Sequence, residues 1–189
     1  MAKSIYVTDN GDVYIAGIVV LGNPAAVYWK NGVLYELTDG SVPARANSII
    51  VKGNDVYVGG YYNNKAVYWK NQTPVYLTDG VWGAEVNSIA ISGNTIYLAG
   101  YQRKNTGYDV ARCWKYDCTT NQPVQIIDFS DGLADGALQS AFEIGNRVYF
   151  CGFHNTVNGY SISSYWTDGF STNYSNGSKS EYGYSIFVR

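Results

Sequence analysis

Apolar and polar positions alternate along this chain in short runs, and the same runs return four times. One set reads Asp12-Val13-Tyr14-Ile15-Ala16-Gly17, Asp55-Val56-Tyr57-Val58-Gly59-Gly60, Thr95-Ile96-Tyr97-Leu98-Ala99-Gly100 and Arg147-Val148-Tyr149-Phe150-Cys151-Gly152. A tryptophan segment follows each: Val27-Tyr28-Trp29-Lys30, Val67-Tyr68-Trp69-Lys70, Arg112-Cys113-Trp114-Lys115 and Ser164-Tyr165-Trp166-Thr167. Next come Leu37-Thr38-Asp39-Gly40, Leu77-Thr78-Asp79-Gly80, Phe129-Ser130-Asp131-Gly132 and the degraded Tyr174-Ser175-Asn176-Gly177. Each unit opens on a fourth run: Ser4-Ile5-Tyr6-Val7, Ser48-Ile49-Ile50-Val51, Ser88-Ile89-Ala90-Ile91 and Ser140-Ala141-Phe142-Glu143. Short runs rich in Val, Ile and Tyr with a period of two predict β-strands. No stretch carries the wider period of an amphipathic helix.

Four short strands in every unit of 40 to 52 residues is the arithmetic of a propeller blade. The expected fold is all-β: a β-propeller of about four blades, each of four antiparallel strands, A to D in chain order. The repeats run over 4–47, 48–87, 88–139 and 140–184 of a single domain. Hairpin turns are predicted at Gly53-Asn54, Gly93-Asn94 and Gly145-Asn146 between A and B. Others are expected at Asn31-Gly32 and Asn71-Gln72 between C and D, because these residues tolerate positive φ. The recurring tryptophan is expected to pack between blades, and so is the small pair ending strand B. The Thr-Asp-Gly run is expected to form a side-chain-to-backbone turn after strand D.

Interval lengths separate scaffold from variable surface. Leu37 to Ser48, Leu77 to Ser88, Phe129 to Ser140 and Tyr174 to Ser185 are equally long, whereas the B-to-C interval varies. In an up-and-down blade the B–C and D–A loops leave the same edge. That edge is the expected functional face, since recognition concentrates on loops held by a rigid scaffold.

Composition narrows the partners. Charged residues make up 15% of the chain and the net charge is −2. This provides no basic field for nucleic acid and no cationic patch for membrane insertion. The three cysteines leave at least one unpaired. Cys113 and Cys118 could bridge a hairpin in an exported protein, and Cys151 reads as a small core residue. The start Met1-Ala2-Lys3 has no leader pattern, which leaves the compartment open.

Ser185-Ile186-Phe187-Val188-Arg189 is a fifth copy of strand A, read as a terminal closing strand over 185–189. Three arrangements accommodate it. It can sit in the first blade of a closed ring, which is the favoured reading. It can exchange with a second chain, since unpaired edges recruit partners. Or the chain can be part of a longer propeller.

On these motifs the chain resembles secreted or surface β-propeller repeat proteins of gut-type bacteria. Those proteins carry units like Val-Tyr-Val-Ala-Gly, Ala-Val-Tyr-Trp-Lys-Asn-Gly and Leu-Thr-Asp-Gly, and end in a Ser-Ile-Phe-Val strand. The resemblance covers nearly the whole chain. It implies a propeller and an extracellular or cell-surface setting, and it is silent on ligand. A looser similarity to tachylectin-type lectin propellers brings no sugar-site motif with it.

The chemistry points to binding without catalysis. His154 is the one histidine, placed in the fourth B–C loop, so any Ser-His-Asp or Cys-His site depends on it. Asp9-Asn10-Gly11-Asp12 lacks the later Glu of a calcium loop and reads as a turn. No cofactor or metal is implied. Glu85, Asp109, Asp135 and Glu181 fall in the loops, which keeps a paired-carboxylate glycan hydrolase as a lesser alternative. Aromatic platforms flanked by polar groups are what sugar and peptide sites use. Trp82, the one tryptophan outside the repeat position, is the centre of the expected site. Tyr61, Tyr62, Arg45 and Glu85 join it, with Arg103, Tyr108, His154 and Tyr182 from later units. The expected partner is a glycan or a protein surface. A structural or self-associating propeller is the other alternative.

Overall fold

The structure, a computed structural model, describes residues 1–20, 22–156, 158–167 and 170–188. Among them there is no helix. Sixteen strands form four antiparallel sheets of four, each in simple up-and-down order. The first sheet holds β1 (Ala2–Val7), β2 (Val13–Val20), β3 (Pro24–Lys30) and β4 (Val33–Glu36). The second holds β5 (Ala44–Lys52), β6 (Asp55–Tyr62), β7 (Lys65–Lys70) and β8 (Thr73–Tyr76). The third holds β9 (Ala84–Ser92), β10 (Thr95–Arg103), β11 (Asp109–Asp117) and β12 (Pro123–Asp128). The fourth holds β13 (Gly136–Ile144), β14 (Arg147–Asn155), β15 (Ser161–Thr167) and β16 (Phe170–Asn173). These are propeller-type blades, one per sequence repeat. The chain divides into two compact units, residues 1–86 and 87–189.

Within the first unit β5 lies against β1, β2 and β3. Trp69 and Val58 share a buried cluster with Tyr14, Ala16 and Tyr28 of the first sheet. Within the second unit β13 lies against β10 and β11, and Trp166 and Phe150 pack with Ala99, Ala111 and Cys113. So Trp69 and Trp166 do pack between sheets. Truncating such a ring costs on the order of 3–5 kcal/mol. Trp114 is fully buried and Trp29 half-buried.

The opening serine proves to be a staple between A strands. Ser4 Oγ accepts the Ile49 N–H at 3.3 Å, and Ser88 Oγ accepts the Ala141 N–H at 3.0 Å. The glycine ending the strand B motif has a different reason from the one its neighbours suggest. Strand A is bulged between Ala2 and Ser4, Ala46 and Ser48, and Leu138 and Ser140. The bulge pushes a carbonyl onto the glycine, so a Cβ on Gly17, Gly60 or Gly152 would lie 2.2, 1.8 or 2.0 Å from that oxygen. The crowding therefore comes from within the sheet, not from the next one.

The Thr-Asp-Gly turn forms as expected. The hydroxyls of Thr38, Thr78 and Ser130 accept the N–H groups of Ala26, Ala66 and Ala111 at 2.9, 3.1 and 3.0 Å. The side chains of Asp39, Asp79, Asp131 and Asn176 accept the N–H two residues on, at 2.9 to 3.0 Å. The degraded fourth copy thus keeps its Asx turn, but Ser175 Oγ is buried without a partner. At the opposite edge, Asn31 and Asn71 take φ of 49° in the C–D turns. Their amides donate to Asp12 and Asp55, at 2.8 and 2.6 Å, and hold both carboxyls below the usual carboxylate range.

The N-terminal copy of strand A occupies the A position of the first sheet as β1. Residues 185–188 belong to no sheet, and Arg189 lies outside the described residues. Within the second unit Phe187 meets Phe142 edge-on at 5.1 Å, and the Glu181 N–H donates to the Ser161 carbonyl at 2.9 Å.

Candidate ligand-binding face

The B–C and D–A loops of a blade share an edge and are tied together there. Asn23 donates to the Ser41 carbonyl at 3.1 Å, Asn64 to Gly80 at 2.8 Å, and Thr106 to Gly132 at 3.0 Å. The face expected from interval lengths therefore exists in each of these blades.

In the first unit three of the sequence candidates meet. The Arg45 guanidinium lies 4.8 Å above the Tyr61 ring and pairs with Glu85 at 3.3 Å. Glu85 also accepts from Asn47 at 2.7 Å. Glu85 is thereby committed to neighbours on both sides. Tyr62 turns elsewhere, against Tyr76 at 5.6 Å, with Lys65 above the Tyr76 ring. Trp82 is 42% exposed and, among the described residues, makes no ring contact.

The second unit contains an open cleft of about 420 Å³. Its aromatic lining is Tyr101, Phe153 and Tyr182, and its polar lining is Asn87, Asp109, Asp135, Gln139 and Asn155. The carboxylates are fixed by the backbone geometry around them. Asp135, in the D–A loop, accepts the Asp109 N–H on Oδ1 at 2.9 Å, and its carbonyl accepts the Asn155 N–H at 2.7 Å. Both Asp109 oxygens accept from Arg103, at 2.8 and 3.1 Å. Phe153 and Tyr182 meet edge to face at 5.0 Å. Asn87 donates to the Leu138 carbonyl at 2.8 Å, and Asn155 Oδ1 accepts from Ser161 at 2.6 Å. Among the described residues the Gln139 amide makes no hydrogen bond.

Tyr182 thus lines the cleft and Arg103 reaches it through Asp109. Tyr108 is 44% exposed and does not line it. His154 departs from expectation. It lies in β14, not in a loop, because strand pairing to Ile162 carries that far. Its ring packs on Trp166 at 6.2 Å with Ser164 Oγ 3.5 Å from Nδ1. Burial pushes its pKa down, against a smaller opposing effect of Asp131.

Sequence reasoning missed Asn87, Tyr101, Gln139, Phe153 and Asn155 as site residues. A signal existed for some of them. The residue before the opening serine is an amide in three units, Asn47, Asn87 and Gln139, and the residue after the strand B glycine is aromatic at Tyr61, Tyr101 and Phe153.

A second recess of about 530 Å³ lies on the other part of this unit, floored by Phe129, Phe150 and Trp166. In the first sheet Tyr28 stands opposite Tyr35 and stacks on it at 4.8 Å, where the third sheet has Cys113 opposite Ile127. Cys113, Cys118 and Cys151 are all buried and none is in a disulfide, so Cys113 and Cys118 are not bridged. Among the described residues no three His, Cys, Asp or Glu side chains gather as a metal site.

No protein-family model matches the chain, and no curated protein matches its sequence.

Proposed function

We propose that this chain is a non-enzymatic recognition module that binds a glycan, with the cleft between Tyr182 and Asp135 as its site. The observation that carries the reading is the composition of that cleft. Aromatic rings line it together with amides and carboxylates, and among the described residues the Gln139 amide has no hydrogen-bond partner. Pyranose rings present one apolar C–H face and a rim of hydroxyls, and a lining that mixes rings with polar groups can meet both. A hydrolase needs a carboxyl group free to act as general acid. Of the two carboxyls that line the cleft, Asp109 has both oxygens engaged by Arg103, so the free pair that acid and base or nucleophile would require is not at hand there.

The test is a glycan array followed by calorimetry on the best ligand. Tyr182→Ala and Gln139→Ala are each expected to weaken binding about tenfold, which corresponds to about 1.4 kcal/mol. Retained binding in both, with loss in Trp82→Ala, would move the site to the first unit and overturn this assignment.

A further inference from the structure

We infer that the sugar held in this cleft is an uncharged hexopyranose unit and that acidic sugars are excluded; the inference rests on the glycan-recognition reading above. The charged groups lining the cleft are Asp109 and Asp135, and no Lys, Arg or His is among its lining residues. Arg103 offsets Asp109 through a bidentate pair and has Nε and Nη2 occupied in doing so. Asp135 forms no ion pair of its own among the described residues and feels the same guanidinium, so two carboxylates face one cation and the cleft keeps a net negative charge.

A sialic acid, uronic acid or sulfated sugar would bring a further anion against Asp135, where the cation at hand, Arg103, is already bonded to Asp109. Like charges set against each other at an interface cost several kcal/mol. A neutral hexopyranose offers the reverse. Its hydroxyls are donors, and Asp135 has Oδ2 available after Oδ1 takes the Asp109 N–H. Charge-assisted hydrogen bonds of that kind are the strong ones. Gln139 can donate to and accept from neighbouring hydroxyls, while the Phe153 and Tyr182 rings supply an apolar surface for the sugar's C–H face.

The experiment is an array and calorimetry at low salt with matched probes. Neutral hexose oligosaccharides are compared with the same chains capped by sialic acid, oxidised to the uronate or sulfated. Binding is expected to the neutral members only, with at least a tenfold margin. Asp135→Asn keeps an Oδ1 to accept the Asp109 N–H, so its circular dichroism and melting temperature should stay close to wild type. That variant is expected to bind the neutral probes about tenfold more weakly and to lose most of the discrimination against the acidic ones. Preference for acidic probes, or discrimination unchanged in Asp135→Asn, would overturn the inference while leaving glycan recognition in place. Binding to no member of either set would overturn the glycan reading itself.

Discussion

Gly60 stands against the Arg45 carbonyl, so close that a Cβ would lie 1.8 Å from the oxygen. The contact exists because β5 bulges between Ala46 and Ser48. The obstruction is backbone, which cannot swing aside as a side chain could. Gly60→Ala is therefore expected to destabilise by about 3 kcal/mol, the upper part of the overpacking range. Gly53→Ala, at a turn glycine with φ of 60° and open space around it, should cost about 1 kcal/mol. Urea denaturation of the two variants tests the ranking, and equal costs would contradict it.

Thr78 and Ser175 hold the same place in their turns yet should answer oppositely to truncation. Thr78→Ala strips the acceptor from the fully buried Ala66 N–H, and the expected loss is about 1–3 kcal/mol. Thr78→Ser should recover most of it. Ser175 Oγ has no partner to lose, so Ser175→Ala is expected to be neutral or to stabilise by up to about 1 kcal/mol. Denaturant midpoints for the three variants decide the matter.

Burial lowers the pKa of His154 in the folded protein. The unfolded chain then binds a proton near pH 6.5 that the folded protein still refuses, about the ordinary histidine value. The histidine's contribution to stability is complete above that pH. It is lost as pH falls from there to the lower folded value, and no further change follows below it. Wild type should lose stability more steeply than His154→Gln on going from about pH 7 towards pH 5. Parallel curves for the two proteins would rule out a titrating histidine.

Burial also pushes the Cys113 thiol up to about 12 and the Cys151 thiol up to about 11. A thiol reagent at pH 8 should label the native protein slowly at all three cysteines, because reactivity follows the thiolate. In denaturant without reductant all three should react at once. Fewer than three would indicate a disulfide and contradict the unbridged cysteines of the structure.

The blades were legible because their signals are local and repeated. Asp55-Val56-Tyr57-Val58-Gly59-Gly60 falls within β6, and Asn31-Gly32 takes the positive φ angles expected of its turn. The cleft was harder to read. Its residues come from separate strands and a loop, and what singles one out is a missing partner. Asn87 and Gln139 occupy the same repeat position, but Asn87 reaches the Leu138 carbonyl while Gln139 has no hydrogen bond among the described residues. No local pattern announces that difference. Trp82 drew attention because it broke the repeat, yet the loop around it gathers no ring. Tyr182, Asp109 and Asp135 are legible as an aromatic and two acids of expected loops, but the Arg103 partner of Asp109 is set by the fold.

The most direct test of the account is a backbone amide NMR titration with a neutral oligosaccharide from the array. Shifts concentrated at Tyr101, Asp109, Gln139, Phe153 and Tyr182 are the result the account requires. Shifts centred on Trp82 and Tyr61, or on the Phe129 and Trp166 recess, would contradict it, as would a spectrum that no sugar perturbs.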